Sequence, residues 1–311
     1  KILAALVSVK NKVVAREYQP TLADGGQRAV IDRIFETIDR LLSKRGIKAS
    51  QLEAIGIAAA GAIDSAKGLV TSSPHLPDWC DVALKQIVAR RYQVDAFIIN
   101  DASAAALGEH RLGAGRGVGN LVYLTVSTGI GGGIIINGRL YLGSSGSAGE
   151  LGHLTIDVNG RRDKCGNIGC LELLASGTAI AEEARRRLKE GQTSALKQIA
   201  AGGIESITAE DVAAAAQSGD LLSREVIHQA AHYLGVGMVN IVNIFNPDMI
   251  IVGGGVAKMG ELLLEPARQV VLKRAFELPA RAVRIVTAQL GDDAGVLGAA
   301  LFAREQKVGA V

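Results

Sequence analysis

The sequence predicts an α/β fold built on a duplicated half, on three observations. Short β-branched apolar runs alternate with longer stretches of helical period. A strand–turn–strand pattern occurs twice. Glycine is abundant, 38 of 311 residues, and its clusters follow strand candidates. Such clusters suggest backbone approaching a ligand rather than a flexible linker.

Candidate strands cover residues 2–9, 13–18, 54–59, 96–99, 121–126, 133–137, 139–142, 249–252 and 284–287. The clearest helix covers 28–44, where Val30, Ile31, Ile34, Phe35, Ile38, Leu41 and Leu42 share one face and Gly46 is a natural stop. Further helices are expected over 81–92, 102–113, 171–189, 208–217, 221–245, 259–275 and 294–305. The strand over 121–126 runs into Ser127-Thr128-Gly129-Ile130-Gly131-Gly132-Gly133, a second strand, an Asn137-Gly138 hairpin turn and a third strand. Residues 2–18 repeat the last two strands. The repeat therefore predicts that a first strand and its Gly-rich loop precede Lys1.

A chain of this length carries a soft prior of about two domains and needs no disulfide staple to bury its core. Its charge balance is 34 − 31 = +3, and aromatics make up 4%. Neither a basic nucleic-acid surface nor an aromatic stacking platform is indicated. Three cysteines exclude a disulfide-rich secreted scaffold. No apolar run is long enough for a membrane helix, and no signal peptide opens the chain.

Three clusters sit just after strands, where open α/β sheets bind ligands: Asn100-Asp101, the Ser127 to Gly133 run, and Gly253-Gly254-Gly255. The two glycine runs let backbone N–H groups face phosphate oxygens, although neither is a Walker A or a clean dinucleotide fingerprint. Asp101 fits either a helix N-cap or a general base.

The most specific constellation is Glu150-Leu-Gly-His153 followed by Asp163-Lys-Cys165-Gly-Asn-Ile-Gly-Cys170-Leu-Glu172. His153, Cys165 and Cys170 suit a tetrahedral zinc site, and Asp163 is a permitted fourth ligand. Four protein ligands leave no open position, so the zinc is expected to be structural. Glu150 and Glu172 then flank it as acceptors for hydroxyl groups.

That stretch resembles the ROK family of bacterial sugar kinases and sugar-sensing repressors, whose pattern is Glu-x-Gly-His and, after a spacer, Cys-x-Cys-Gly-x-x-Gly-Cys-x-Glu. The likeness extends over essentially the whole chain. It implies the two-domain actin, hexokinase and Hsp70 fold (ribonuclease H-like, with duplicated halves and an interdomain cleft). Residues 1–112 would form the small sugar-binding domain, with a C-terminal helix over about 294–311 packed back on it. Residues 113–293 would form the large domain with zinc loop and nucleotide site.

The resemblance further implies transfer of phosphate from ATP, bound with Mg²⁺, to the 6-hydroxyl of a hexose, most often glucose. Asp101 looks like the general base. Asn100, Glu150, His153, Glu172, Gly61 and His75 look like sugar-binding residues. Thr128, Gly129, Gly131 and Gly132 look like the second phosphate loop, and Gly254 and Gly255 like part of the adenosine site. His153 would bridge zinc and sugar. A cytoplasmic homodimer or homotetramer is expected, with no nucleic-acid or membrane partner.

Three departures mark this chain. Lys1 looks like the last residue of the family's first phosphate motif, Asp-x-Gly-Gly-Thr-Lys. Asp163 stands where the family has its first loop cysteine. His75 stands where the family has the Asn of a Pro-Asn-Leu loop, which bears on which hexose is taken. Fructose, mannose or an N-acetylhexosamine are the alternative substrates, and a sugar-sensing repressor is the alternative class.

Overall fold

The computed structural model describes all residues except Pro74, His75, Pro77, Ala200, Ala201, Ala310 and Val311. The chain divides into two compact units. One comprises Lys1–Gly117, Gly133–Gly149 and Gln289–Val311; the other comprises Val118–Gly132 and Glu150–Ala288.

The first unit opens with an antiparallel hairpin, Ile2–Val7 and Val13–Gln19. The turn closes on Asn11, whose amide donates to the Ser8 carbonyl at 2.8 Å with φ at 57°. Asn tolerates that left-handed geometry. The helix Gly26–Arg45 follows, buries Val30, Ile31, Leu41 and Leu42, and ends at Gly46 with φ 61°. The 3.6-residue spacing of its apolar face is what drives it onto the core. Strand Ile55–Ala59 runs parallel to Ala96–Asn100.

A small antiparallel sheet, Ala62–Asp64, Leu69–Ser72 and Cys80–Val82, was not expected. Its strands are too short to show a period of two. Helix Leu84–Tyr92 completes this core around Ile63, Val70, Trp79, Val88 and Ile98. Truncating a side chain as fully buried as Ile98 costs about 2–5 kcal/mol.

The helix Asp101–Leu112 packs along the C-terminal helix Ala294–Val308. Gly298 meets the Ala104 carbonyl and Gly108 meets the Ala294 carbonyl so closely that a Cβ at either glycine would overlap it. Gly298 and Gly108 are therefore packing requirements of this helix pair. Ile99, Leu107, Leu301 and Phe302 fill the rest of that interface.

In the second unit, Leu121–Val126, Met249–Gly253 and Arg284–Thr287 form a parallel array. The first two strands are apolar almost throughout because both of their faces are covered. Gly177–Lys189, Ala209–Gln217, Leu221–Phe245 and Glu261–Arg274 are its long helices. The single helix expected over 171–189 is broken. Ser176 is extended (ψ 168°), and its hydroxyl accepts from the Ala179 amide at 3.2 Å, capping Gly177–Lys189 and leaving Glu172–Ala175 as a separate turn. Short helices Leu196–Ile199 and Glu277–Ala282 were also unexpected.

Strand Ile130–Ile136 begins in the second unit and ends in the first, where it pairs with Arg139–Leu140. Asn137 (φ 51°) and Gly138 (φ 74°) make the predicted hairpin turn. Because the strand starts at Ile130, Gly131 and Gly132 belong to it and not to a loop. No helix among the described residues is long and apolar enough to cross a membrane.

Candidate active site and metal centre

In the first unit, the candidate residues Asn100 and Asp101 sit where strand Ala96–Asn100 passes into helix Asp101–Leu112. The N-cap of this helix is Asn100, the neighbour of Asp101. The Asn100 side-chain oxygen accepts from the Ala102 amide at 2.9 Å and from the Ser103 amide at 3.1 Å, so Asn100 is the N-cap. Its Nδ2 donates to the Gly61 carbonyl at 3.1 Å. Asp101 is exposed in the first turn and accepts from Ala102 at 2.9 Å. Gly61 has φ 110° and lies against the Ser72 carbonyl, leaving no room for a side chain. His75 lies outside the described residues.

In the second unit, residues 150–172 form one hydrogen-bonded loop. The His153 amide donates to the Glu150 carbonyl at 3.1 Å, Asn167 Nδ2 to the His153 carbonyl at 2.9 Å, and the Leu171 amide to the Leu154 carbonyl at 2.9 Å. Gly166 (φ 91°) and Gly169 (φ 63°) supply the left-handed turns that fold residues 163–170 back on themselves. Within this loop His153, Asp163, Cys165 and Cys170 each offer one ligand atom, all within 4.8 Å of one another. His153 Nδ1 lies 3.1 Å from Asp163 Oδ2, Cys165 Sγ 3.4 Å from the same oxygen, and the two sulfurs 3.7 Å apart. One nitrogen, one oxygen and two sulfurs make a donor set that fits tetrahedral zinc.

Burial works against charge on Asp163, yet hydrogen bonds from Cys170, the Lys164 amide, Cys165 and His153 outweigh it and hold the carboxyl below its usual range. Burial and the neighbouring Asp163 push the Cys170 thiol up to about 12. Without a cation, the buried sulfur stays protonated. A bound cation reverses that preference by stabilising the thiolate.

Glu172, at the end of this loop, is half-buried and accepts from the Ile130 amide at 2.6 Å. Gly129 faces the same carboxylate, and a Cβ there would collide with it. The turn at Ser127, Thr128 and Gly129 closes through the Ser127 amide on the Gly129 carbonyl at 2.8 Å. It is tied to helix Gly177–Lys189 by Gly177 N to Ser127 O at 2.7 Å and Thr178 Oγ1 to Thr128 O at 2.8 Å.

Beside this turn lies a cleft of about 270 Å³, lined by Ser127, Thr128, Thr178, Thr208, Glu210 and Gly255 among others. Gly254, next to Gly255, has φ 91° and packs on the Val126 carbonyl. Of the proposed nucleotide residues, Thr128 and Gly255 line the cleft, Gly129 forms the turn, and Gly131 and Gly132 lie in the following strand. Sequence reasoning missed Thr178, Arg185, Thr208 and Glu210 as lining residues. The capping-box spacing of Thr208 and Asp211 was a signal for the helix start that carries two of them.

A sequence profile of the ROK family matches residues 1–306. A glucokinase of Thermotoga maritima is 38% identical over 304 residues, covering 97% of this chain and 93% of that protein. A xylose repressor of Caldicellulosiruptor bescii is 35% identical over 287 residues, covering 92% of this chain and 71% of the repressor. The crystal structure of a ROK family glucokinase from Streptomyces griseus in complex with glucose and AMPPNP superposes with a TM-score of 0.86 at 33% identity, over 97% of this chain and 96% of that one. The fold is thus the actin- and hexokinase-like α/β fold that the family resemblance implies. By profile and by identity along nearly its whole length, the chain belongs to the ROK family.

Proposed function

We propose that this chain is an ATP-dependent hexose kinase that transfers the γ-phosphoryl group to the 6-hydroxyl of glucose. The observation that carries the reading is at the start of helix Asp101–Leu112. Asn100 caps the helix, so Asp101 is not the cap, and its carboxylate stands exposed at the end of a strand.

Asp101 takes the proton of the sugar hydroxyl. The sugar oxygen then bonds to the γ-phosphorus as the bond to the β–γ bridging oxygen breaks, and ADP leaves. Glu150, Glu172, Asn100 and Gly61 hold sugar hydroxyls by hydrogen bonds. His153 turns Nδ1 toward the zinc ligands, which fixes the remaining ring proton on Nε2 as a donor to the sugar. Zinc, when bound, holds the loop and the imidazole in place.

MgATP is the second substrate. The cleft beside Thr128 and Gly255 supports its placement there, with Gly129 shaping the phosphate turn and Gly254 holding the adjoining backbone against Val126. Phosphoryl transfer requires mainly positioning and charge neutralisation, which backbone donors and the metal of MgATP supply. The reading includes a cytoplasmic homodimer or homotetramer, as in the family resemblance.

The test is a coupled ATP-turnover assay over glucose, fructose, mannose and N-acetylhexosamines. Asp101→Asn should lower turnover with glucose at least 100-fold, on the scale of a lost general base. A variant with near-full turnover would remove Asp101 from this role. A sugar-sensing reading is favoured by the similarity to the Caldicellulosiruptor bescii repressor. Sugar binding without turnover of any hexose would select it.

A further inference from the structure

We propose that Cys165 and Cys170 are an oxidation site, at which hydrogen peroxide joins the two sulfurs in a disulfide and the cluster releases its zinc. The sulfurs are already 3.7 Å apart, so they need to close by about 1.7 Å to reach a disulfide length of ~2.05 Å. Cys165 is exposed and Cys170 is buried. The first is therefore open to a small oxidant, and the second is placed to resolve the product. Gly166 and Gly169, both at positive φ, lie between them.

The specific feature of this chain is the donor set. His153 and Asp163 contribute nitrogen and oxygen, so Cys165 and Cys170 are the sole sulfur ligands of the cluster. One disulfide thus consumes every thiolate and leaves two of the four ligands that a closed zinc site needs.

The chemistry balances as follows. The Cys165 sulfur attacks one peroxide oxygen, the O–O bond breaks, and the other oxygen leaves as hydroxide, which a solvent proton turns to water. Cys165 is then a sulfenic acid. The Cys170 sulfur attacks the Cys165 sulfur, the S–O bond breaks, and a second hydroxide leaves with a second solvent proton. The two sulfurs lose two electrons and peroxide gains them, while zinc departs as Zn²⁺. A dithiol reverses the bond by exchange. Resting on the kinase reading, loss of zinc frees the His153 ring and weakens sugar binding.

The experiment titrates the zinc-loaded chain with peroxide. It follows zinc with a chromogenic chelator and the thiols by peptide mass mapping, with the exposed Cys80, outside the cluster, as an internal reference. The expected result is zinc release in step with a Cys165–Cys170 disulfide, one for one, reversed by dithiothreitol with added zinc. A Cys80→Ser chain should behave identically. Zinc retained at peroxide levels that oxidise Cys80, or zinc lost with Cys165 as a sulfinic acid and no disulfide, would overturn the proposal. Neither readout depends on activity. If zinc leaves as stated and the KM for hexose does not change, the oxidation site stands and the sugar role of His153 falls.

Discussion

The Glu172 carboxylate accepts a hydrogen bond from the Ile130 backbone amide at 2.6 Å. This single contact ties the end of the metal loop to the glycine turn beside the cleft, and Gly129 is a glycine because that carboxylate occupies the space of a side chain. Replacing Glu172 by Gln keeps the shape and removes the charge. A hydrogen bond to a charged group contributes about 1.5–3 kcal/mol. Glu172→Gln is expected to raise the KM for hexose on the order of tenfold or more and to lower the melting temperature modestly, since the bond from the Ile130 amide loses its charge. An unchanged KM in the coupled assay would exclude Glu172 from sugar binding.

Asn100 and Gly61 make a second such link. Asn100→Ala removes the cap of helix Asp101–Leu112 and the donor to the Gly61 carbonyl together. Urea unfolding should show a loss of about 1–2 kcal/mol. Asn100→Asp keeps both acceptor roles but sets a carboxylate oxygen against that carbonyl. It should recover the cap and not the link, so turnover stays low while much of the stability returns.

Glu109 is fully buried and accepts from the Ala114 amide at 2.9 Å, the Gln289 amide at 2.9 Å and the Leu290 amide at 2.7 Å. It fastens the far end of the Asp101 helix to the segment that leads into the C-terminal helix. Glu109→Ala leaves these donors unpaired, at about 1–3 kcal/mol for each that water cannot reach. A loss of about 3 kcal/mol or more is expected by urea unfolding. A loss below about 1 kcal/mol would mean that water replaces the carboxylate.

Glu109 also marks the limit of what the sequence discloses. Within a helical stretch it reads as an ordinary exposed Glu, because two of its three partners are some 180 positions away. The 150–172 loop was legible because its candidate donors are local and carry specific chemistry, and the structure brings His153, Asp163, Cys165 and Cys170 together. The long helix Leu221–Phe245 was legible because its caps Asp220 and Asn246 are local too. The three-strand sheet around Leu69–Ser72 was not, since short strands are specified by pairing rather than by pattern. Asp101 was ambiguous for a related reason: either Asn100 or Asp101 suits a cap, and only the backbone direction at Asn100 (ψ 144°) selects it.

Removing the metal separates the two proposed subsites. Dialysis against a strong chelator should strip zinc and raise the KM for hexose, because His153 loses its fixed orientation. The affinity for ATP should change much less, since none of the four ligands lines the cleft at Thr128 and Gly255. Asp163→Ala should lower zinc affinity 10-fold or more, on the scale of altered metal shells. Metal analysis and ATP binding by calorimetry check both statements. Equal loss of the two affinities would show that zinc supports the whole unit.

Asp220 gives a pH-dependent stability. It caps helix Leu221–Phe245 through the Ser223 amide at 2.9 Å and hydroxyl at 2.7 Å, and it accepts from Ser194 at 2.8 Å and Ala195 at 2.9 Å. Burial would raise its pKa, but these hydrogen bonds outweigh burial and hold the carboxyl below its usual range. A carboxyl depressed in the folded state contributes stability above its unfolded pKa of about 3.9, and that contribution is lost as pH falls through the folded value. Asp220→Asn keeps a good neutral cap and lacks the charge. The wild type should therefore exceed it by roughly 1 kcal/mol at neutral pH, and the gap should hold down to about pH 5 and close as urea unfolding is repeated from there to about pH 2. A gap that stays constant over that range would assign the difference to shape instead of charge.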